Sequence, residues 1–412
     1  MAEEQPLVIN HIDYSLLPNE ETYNSQNSPT PTPPILYDSP LTPSVRKSLK
    51  IILTCSWINC LLIFIPFGYL AHIYKWGDTW TFVLNFLAIL PLSKLYDFAT
   101  VDASLRVGQS IGCLLNATFG NAVELIVSII ALTKGEIRVV QASLLGAIIS
   151  NLLLILGMSF VIGGFLHHQQ TFNQIIAQTS SGLMTLACIS LIIPAAFNFA
   201  VNGNTFNDSG DIKQLLDLSH GSALVLLIIY ILYIYFQLKT HSNLYQIEEE
   251  DDDPQLSLSI VLLLFVIVTF IAAFSAEYLV DSIKGLVESS GLSKTFIGLI
   301  LLPIIGNAAE FTTAINAAAR NKMSFAITIA AGSSMQIALF LTPFLVILGW
   351  IIGQDLTLYF QSFETVVLFI SVIITNYLIL DGKSNWFEGA MLLAAYIIIS
   401  WAFFLYPDEI VA

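Results

Sequence analysis

Two near-identical pentapeptides hold the residues best able to do chemistry in this chain, Gly120-Asn121-Ala122-Val123-Glu124 and Gly306-Asn307-Ala308-Ala309-Glu310, each inside a long apolar run. A carboxylate at bilayer depth is costly and marks a binding group or ion path by default. Two of them in the same local setting read as one site built twice. Asn116, Gly120, Glu124 and Ser128 recur every four residues and share a helical face. Pro303, Gly306 and Asn307 precede Glu310, and Thr313, Ala314 and Ala317 continue its face with small groups. The next apolar runs add neutral oxygens: Ser143 and Ser150 beside Gly146 on one face, Ser333 and Gln336 beside Gly332 on the other, with Asn151 and Ser334 nearby.

This is an oxygen-only set. Hard cations such as Ca2+ take about 6 to 8 oxygen ligands and tolerate mixed ones, and the absence of His and Cys from the stripe speaks against zinc or copper. The Gly-Asn steps and Pro303 weaken their helices, which frees backbone carbonyls beside each carboxylate. Two carboxylates in a water-poor site cannot both stay charged without a counter-ion, so one divalent cation and two protons are alternative ways of neutralising the pair. That competition is the physical core of an antiporter.

The elements that must position this pair are membrane-spanning helices. With 56% hydrophobic residues, 11% charged and a mean hydropathy of +0.76, the chain has about half the charge of a soluble domain. A span needs about 20 apolar residues, and eleven candidates are centred near Ile63, Ala88, Glu124, Leu152, Thr185, Leu227, Val268, Ile305, Ile337, Phe369 and Ala395. The expected fold is therefore an all-α polytopic membrane protein. The shift that carries Gly120 onto Gly306 also carries Glu124 onto Glu310 and Gly146 onto Gly332, so the chain contains a repeat. Five spans per half put the halves in opposite orientations, as inverted repeats.

The expected organisation is a disordered cytosolic tail over 1–50, an extra helix over 51–73, a first five-helix repeat over 79–240, an acidic cytosolic linker over 241–256, a second repeat over 257–406 and a short tail over 407–412. The tail is proline-rich and has no apolar signal region. Cys55, Cys60, Cys113 and Cys188 lie in apolar stretches and pack as small hydrophobes. The net charge of −15 gathers in the amino-terminal tail and in Glu248, Glu249, Glu250, Asp251, Asp252 and Asp253, which argues against nucleic acid as a partner. Arg46, Lys47 and Lys50 before the first span put the amino terminus and linker in the cytosol and the carboxyl terminus in the lumen. Asn207-Asp208-Ser209 is then a non-cytosolic glycosylation sequon. Lys94, inside the second span, is expected to snorkel to the interface.

The strings from Leu114 to Ser128, from Gly291 to Gly298 and from Asn376 to Gly382 resemble the calcium/proton (cation/proton) exchanger family of the calcium/cation antiporters, most of all its fungal vacuolar members. The resemblance covers most of the chain. It implies eleven spans in two inverted five-helix repeats, a calcium site on Glu124 and Glu310 helped by Asn121, Asn307 and Gln336, no cofactor beyond the transported Ca2+ and H+, and a vacuolar membrane. It also puts the run from Glu248 to Asp253 where the family carries a cytosolic acidic segment, either a solvated linker or a calcium-responsive regulator. Two departures stand out. Phe311 replaces a histidine after the second glutamate, and Val101-Asp102 replaces adjacent glutamates at the end of the second span. Asp102, with Glu277 and Asp281 in the second half, is a candidate for proton passage or gating, and the departures point to altered pH dependence or ion preference, with Mn2+ as the second cation. A transport-inactive descendant is the rival reading, against which the retained glutamate pair speaks. A channel would not depend on a pH gradient, and no metalloprotease helix, nucleophile elbow or phosphate loop indicates an enzyme.

Overall fold

The computed structural model describes residues 45–107, 112, 115, 118–202, 209–241 and 254–407. Asn116, Cys113, the Asn207 sequon and the acidic run from Glu248 to Asp253 lie outside the described residues. The described residues are almost wholly helical: α1 (Val45–Thr54), α2 (Trp57–Ile73), α3 (Asp78–Val107), α4 (Ala122–Thr133), α5 (Ile137–His167), α6 (Gln174–Asn202), α7 (Lys213–Thr240), α8 (Leu258–Ser290), α9 (Lys294–Gly306), α10 (Ala308–Ala319), α11 (Met323–Ile352), α12 (Ser362–Leu378) and α13 (Trp386–Leu405). Among the described residues seven helices, α3, α5, α6, α7, α8, α11 and α13, are long and apolar enough to cross a membrane. That number reaches nine if each bent pair, α1 with α2 and α9 with α10, is one span, and α4 and α12 are shorter apolar helices.

Two features depart from a plain array of spans. The first apolar run is broken, with α1 and α2 meeting at 103°. Ser56 Oγ accepts from the amide of Ile58 at 3.3 Å and Asn59 Nδ2 donates to the carbonyl of Ile52 at 2.8 Å, so local side chains satisfy the backbone at the break. The all-α expectation also misses a short antiparallel ribbon, β1 (Gln169–Thr171) paired with β2 (Lys383–Asn385). It ties the end of α5 to the start of α13.

Burial sorts the helices. In α5 78% of the apolar window is buried, against 17% in α7, so α5 is central and α7 faces lipid along most of its length. The centre is packed backbone to backbone: a Cβ on Gly146 of α5 would run into the carbonyl of Leu299 in α9, the close approach that small residues permit between spans. In α5 the winding becomes π-helical at the polar residues themselves, over Ser150–Ile155, in α11 just past Gln336, over Ile337–Leu341, and in α9 over Ile297–Leu301. Such insertions are commonest at functional sites because they rotate and release backbone groups.

Candidate cation site

Each glutamate stands in the first turn of a helix that begins at an asparagine, Glu124 in α4 behind Asn121 and Glu310 in α10 behind Asn307. The Gly306-Asn307 step bends α9 from α10 by 58°, in line with the helix-weakening residues there. Neither asparagine side chain caps its own helix. Each reaches instead into the other half of the chain. Asn121 Nδ2 donates to Gln336 Oε1 at 2.7 Å, Ser333 Oγ donates to Asn121 Oδ1 at 2.7 Å, and Asn151 Nδ2 donates to Ser333 Oγ at 3.0 Å. Asn307 Nδ2 donates to the carbonyl of Ala147 at 3.2 Å. The shift that carries Asn121 onto Asn307 carries Ala147 onto Ser333, so the two asparagines make corresponding contacts.

Glu124 and Glu310 are 8% and 9% exposed. Both carboxylate oxygens of Glu124, Oε2 of Glu310, and Oδ1 of Asn151 and Asn307 are buried and accept from no donor. Buried acceptors are nearly always satisfied, and unshared carboxylate and carboxamide oxygens are what an oxygen-seeking cation needs. The Glu124 carboxylate lies against Gly306, where an added Cβ would come within 2.5 Å of Oε1. A cavity of about 20 Å³ opens there, lined by Glu124, Ser128, Ser143, Ala147, Pro303 and Gly306 among others, room for roughly one water-sized guest. Glu310 interacts electrostatically with Glu124 and also with Asp97 and Lys94 of α3.

The other sequence-derived candidates divide. Ser143 lines the cavity, while Ser333, Gln336 and Asn121 spend their oxygens on one another and hold the helices in register. Ser150 is buried at the start of the π-helical segment, outside the cavity wall. Asp102 is 3% exposed and its Oδ1 accepts from the amides of Gln255 and Leu256 at 2.6 and 3.2 Å, with Arg106 at 3.4 Å from Oδ2, so it anchors the chain that leads into α8. Glu277 and Asp281 are well exposed and flank Lys134 at the far end of α4. Val101 is exposed and Phe311 packs at the edge of the core.

Lys94 does not snorkel. Its Nζ donates to Asp97 Oδ2 at 2.7 Å and to Thr313 Oγ1 at 3.0 Å. Asp97 is missing from the sequence-derived candidates, although its spacing of three from Lys94 on one helix is a usable signal. Ser93 is missing too; its hydroxyl donates to the carbonyl of Gly306 at 3.1 Å and so occupies a carbonyl at the helix break.

A bundle of long apolar helices, interrupted beside two buried acids, is the build of a membrane transporter rather than an enzyme. The chain belongs to the sodium/calcium exchanger protein family, whose sequence profile matches residues 77–239 and 260–405. It is 48% identical over 363 residues to the vacuolar calcium ion transporter of Schizosaccharomyces pombe, covering 87% of this chain and 87% of that protein. It is 42% identical over 363 residues to the Ca2+/H+ antiporter of Aphanothece halophytica, covering 84% and 96%. The solved structure of the Ca2+/H+ antiporter protein YfkE superposes with a TM-score of 0.72 at 34% identity, over 87% of this chain and 100% of that one.

Proposed function

We propose that this chain exchanges cytosolic Ca2+ for lumenal H+ across the membrane of an acidic organelle, the vacuole, with Glu124 and Glu310 binding either the cation or protons. The observation that carries this reading is the set of buried carboxylate and carboxamide oxygens that no protein donor reaches. A cation in the cavity beside Glu124 meets the unshared carboxylate oxygens of Glu124, and movement of Glu310, which does not line that cavity, brings the second carboxylate to it; protons on the two acids remove the charge and let the empty site change sides. The named activities of the relatives, calcium transport and Ca2+/H+ antiport, agree with that chemistry.

In this reading the chain crosses the membrane eleven times, with the bent pairs α1–α2 and α9–α10 and the shorter α4 and α12 each serving as a crossing. The halves over 79–240 and 257–406 are inverted repeats, and the corresponding contacts of Asn121 and Asn307 are the support for that layout. Arg46, Lys47 and Lys50 orient the amino terminus to the cytosol. Access alternates as α4 and α10 swing about their asparagine hinges, moving one carboxylate each. Mn2+, which shares the preference for oxygen ligands, is the second substrate.

Equilibrium binding to the purified protein tests the site itself. Ca2+ binding is expected to release protons into a weakly buffered solution, and Glu124→Gln or Glu310→Gln is expected to abolish both signals. Calcium binding that persists in both variants would remove the glutamates from the site.

A further inference from the structure

Lys94 lies near the middle of α3, and with Asp97 it forms an ion pair whose side chains are only 18% and 21% exposed. Charges at such depth are costly and are kept for a purpose, yet neither group takes part in the exchange proposed above. The pair is attached to the cation site on its other side. Lys94 Nζ donates to Thr313 Oγ1 at 3.0 Å, and Thr313 Oγ1 is 3.5 Å from Asp97 Oδ2. Thr313 stands one helical turn beyond Glu310 in α10, on a neighbouring part of the same face. Lys94 and Asp97 both act electrostatically on Glu310.

We infer that Lys94 is a tethered cation that Asp97 holds away from Glu310, and that this pair sets the affinity of the site for its free cation. An ammonium on a four-carbon stem is mobile and strongly charged. With Asp97 beside it, its charge is neutralised locally and Glu310 stays available. Without Asp97 it is free to take up the carboxylate and compete with the substrate. Thr313 fixes where along α10 the ammonium rests, three residues beyond Glu310. Lys94 and Asp97 are thus positioning residues that act through Glu310.

The inference rests on Glu310 being a cation ligand, and the test separates the two claims. Full-length native protein, Lys94→Met, Asp97→Asn and the double variant are reconstituted, and Ca2+ uptake is measured across a range of Ca2+ concentrations. Asp97→Asn is expected to raise the KM for Ca2+ by about tenfold or more, the size of one added charge at a half-screened site. Lys94→Met is expected to lower it, and the double variant to fall between the two, with maximal rates little changed. Opposite signs are the mark of charge acting on the site, because an ion pair that only braces the bundle makes both single variants worse. Either single variant decides alone if the other does not fold: a KM unchanged or raised in Lys94→Met, or unchanged in Asp97→Asn, overturns the inference. If native protein transports Ca2+ and Glu310→Gln does not, such a result leaves the proposed exchange standing. If Glu310→Gln transports normally, the exchange reading itself falls.

Discussion

Glu124 and Glu310 differ from ordinary buried acids in having oxygens that no protein donor reaches. Glutamine at either position keeps the volume and removes the charge, and uptake is expected to fall at least about a hundredfold, since one unit charge a few ångströms from a divalent ion is worth several kcal/mol even when partly screened. Gly306 is tied to the same chemistry, because an added Cβ would meet Glu124 Oε1 at 2.5 Å. Gly306→Ala is therefore expected to cut calcium uptake by about tenfold or more while thermal unfolding in detergent stays near native. The burial of the two acids was legible in the sequence, since each lies inside a long apolar run. Which neutral oxygens are free was not legible. Asn121 and Gln336 read as ligands by type, and only the structure shows that they hydrogen-bond to each other.

At the scale of elements, the break between α9 and α10 was foreseeable from Gly306-Asn307 and Pro303, whereas the 103° bend between α1 and α2 was not, because it depends on side chains that satisfy a broken backbone locally. The corner between α4 and α5 was also hidden, its partners lying far away in sequence. There Lys134 pairs with Glu277 and Asp281, Glu136 with Lys294, and Arg138 with Glu364 and Thr295. Glu364 is fully buried. Arg138→Ala strands its charge and is expected to lower stability by about 3–5 kcal/mol, the usual cost of unpairing a buried ion. Adding Glu364→Gln to that variant removes the stranded charge and is expected to recover most of the loss in thermal unfolding. At the corresponding corner between α10 and α11, His167 Nε2 lies 2.9 Å from the carbonyl of Ala319 and Gln170 Nε2 donates to the carbonyl of Ala318 at 2.9 Å.

For the whole molecule, the proposed exchange comes down to one site with two ways of being neutral. Each pH unit is worth about 1.4 kcal/mol per proton, so exchange of two protons across two pH units sustains a cation gradient of about 10⁴ before any voltage contribution. The membrane class was readable from hydropathy, while the centrality of α5 and the lipid exposure of α7 emerge only from packing. The most direct measurement is calcium uptake into proteoliposomes with an acidic interior, with lumenal pH followed at the same time, for the native chain, Glu124→Gln and Glu310→Gln. Uptake is predicted to require the gradient, to raise lumenal pH and to disappear in both variants. Uptake by the native chain that proceeds equally without a pH gradient, or that survives in either variant, would contradict two-way neutralisation of the glutamate pair.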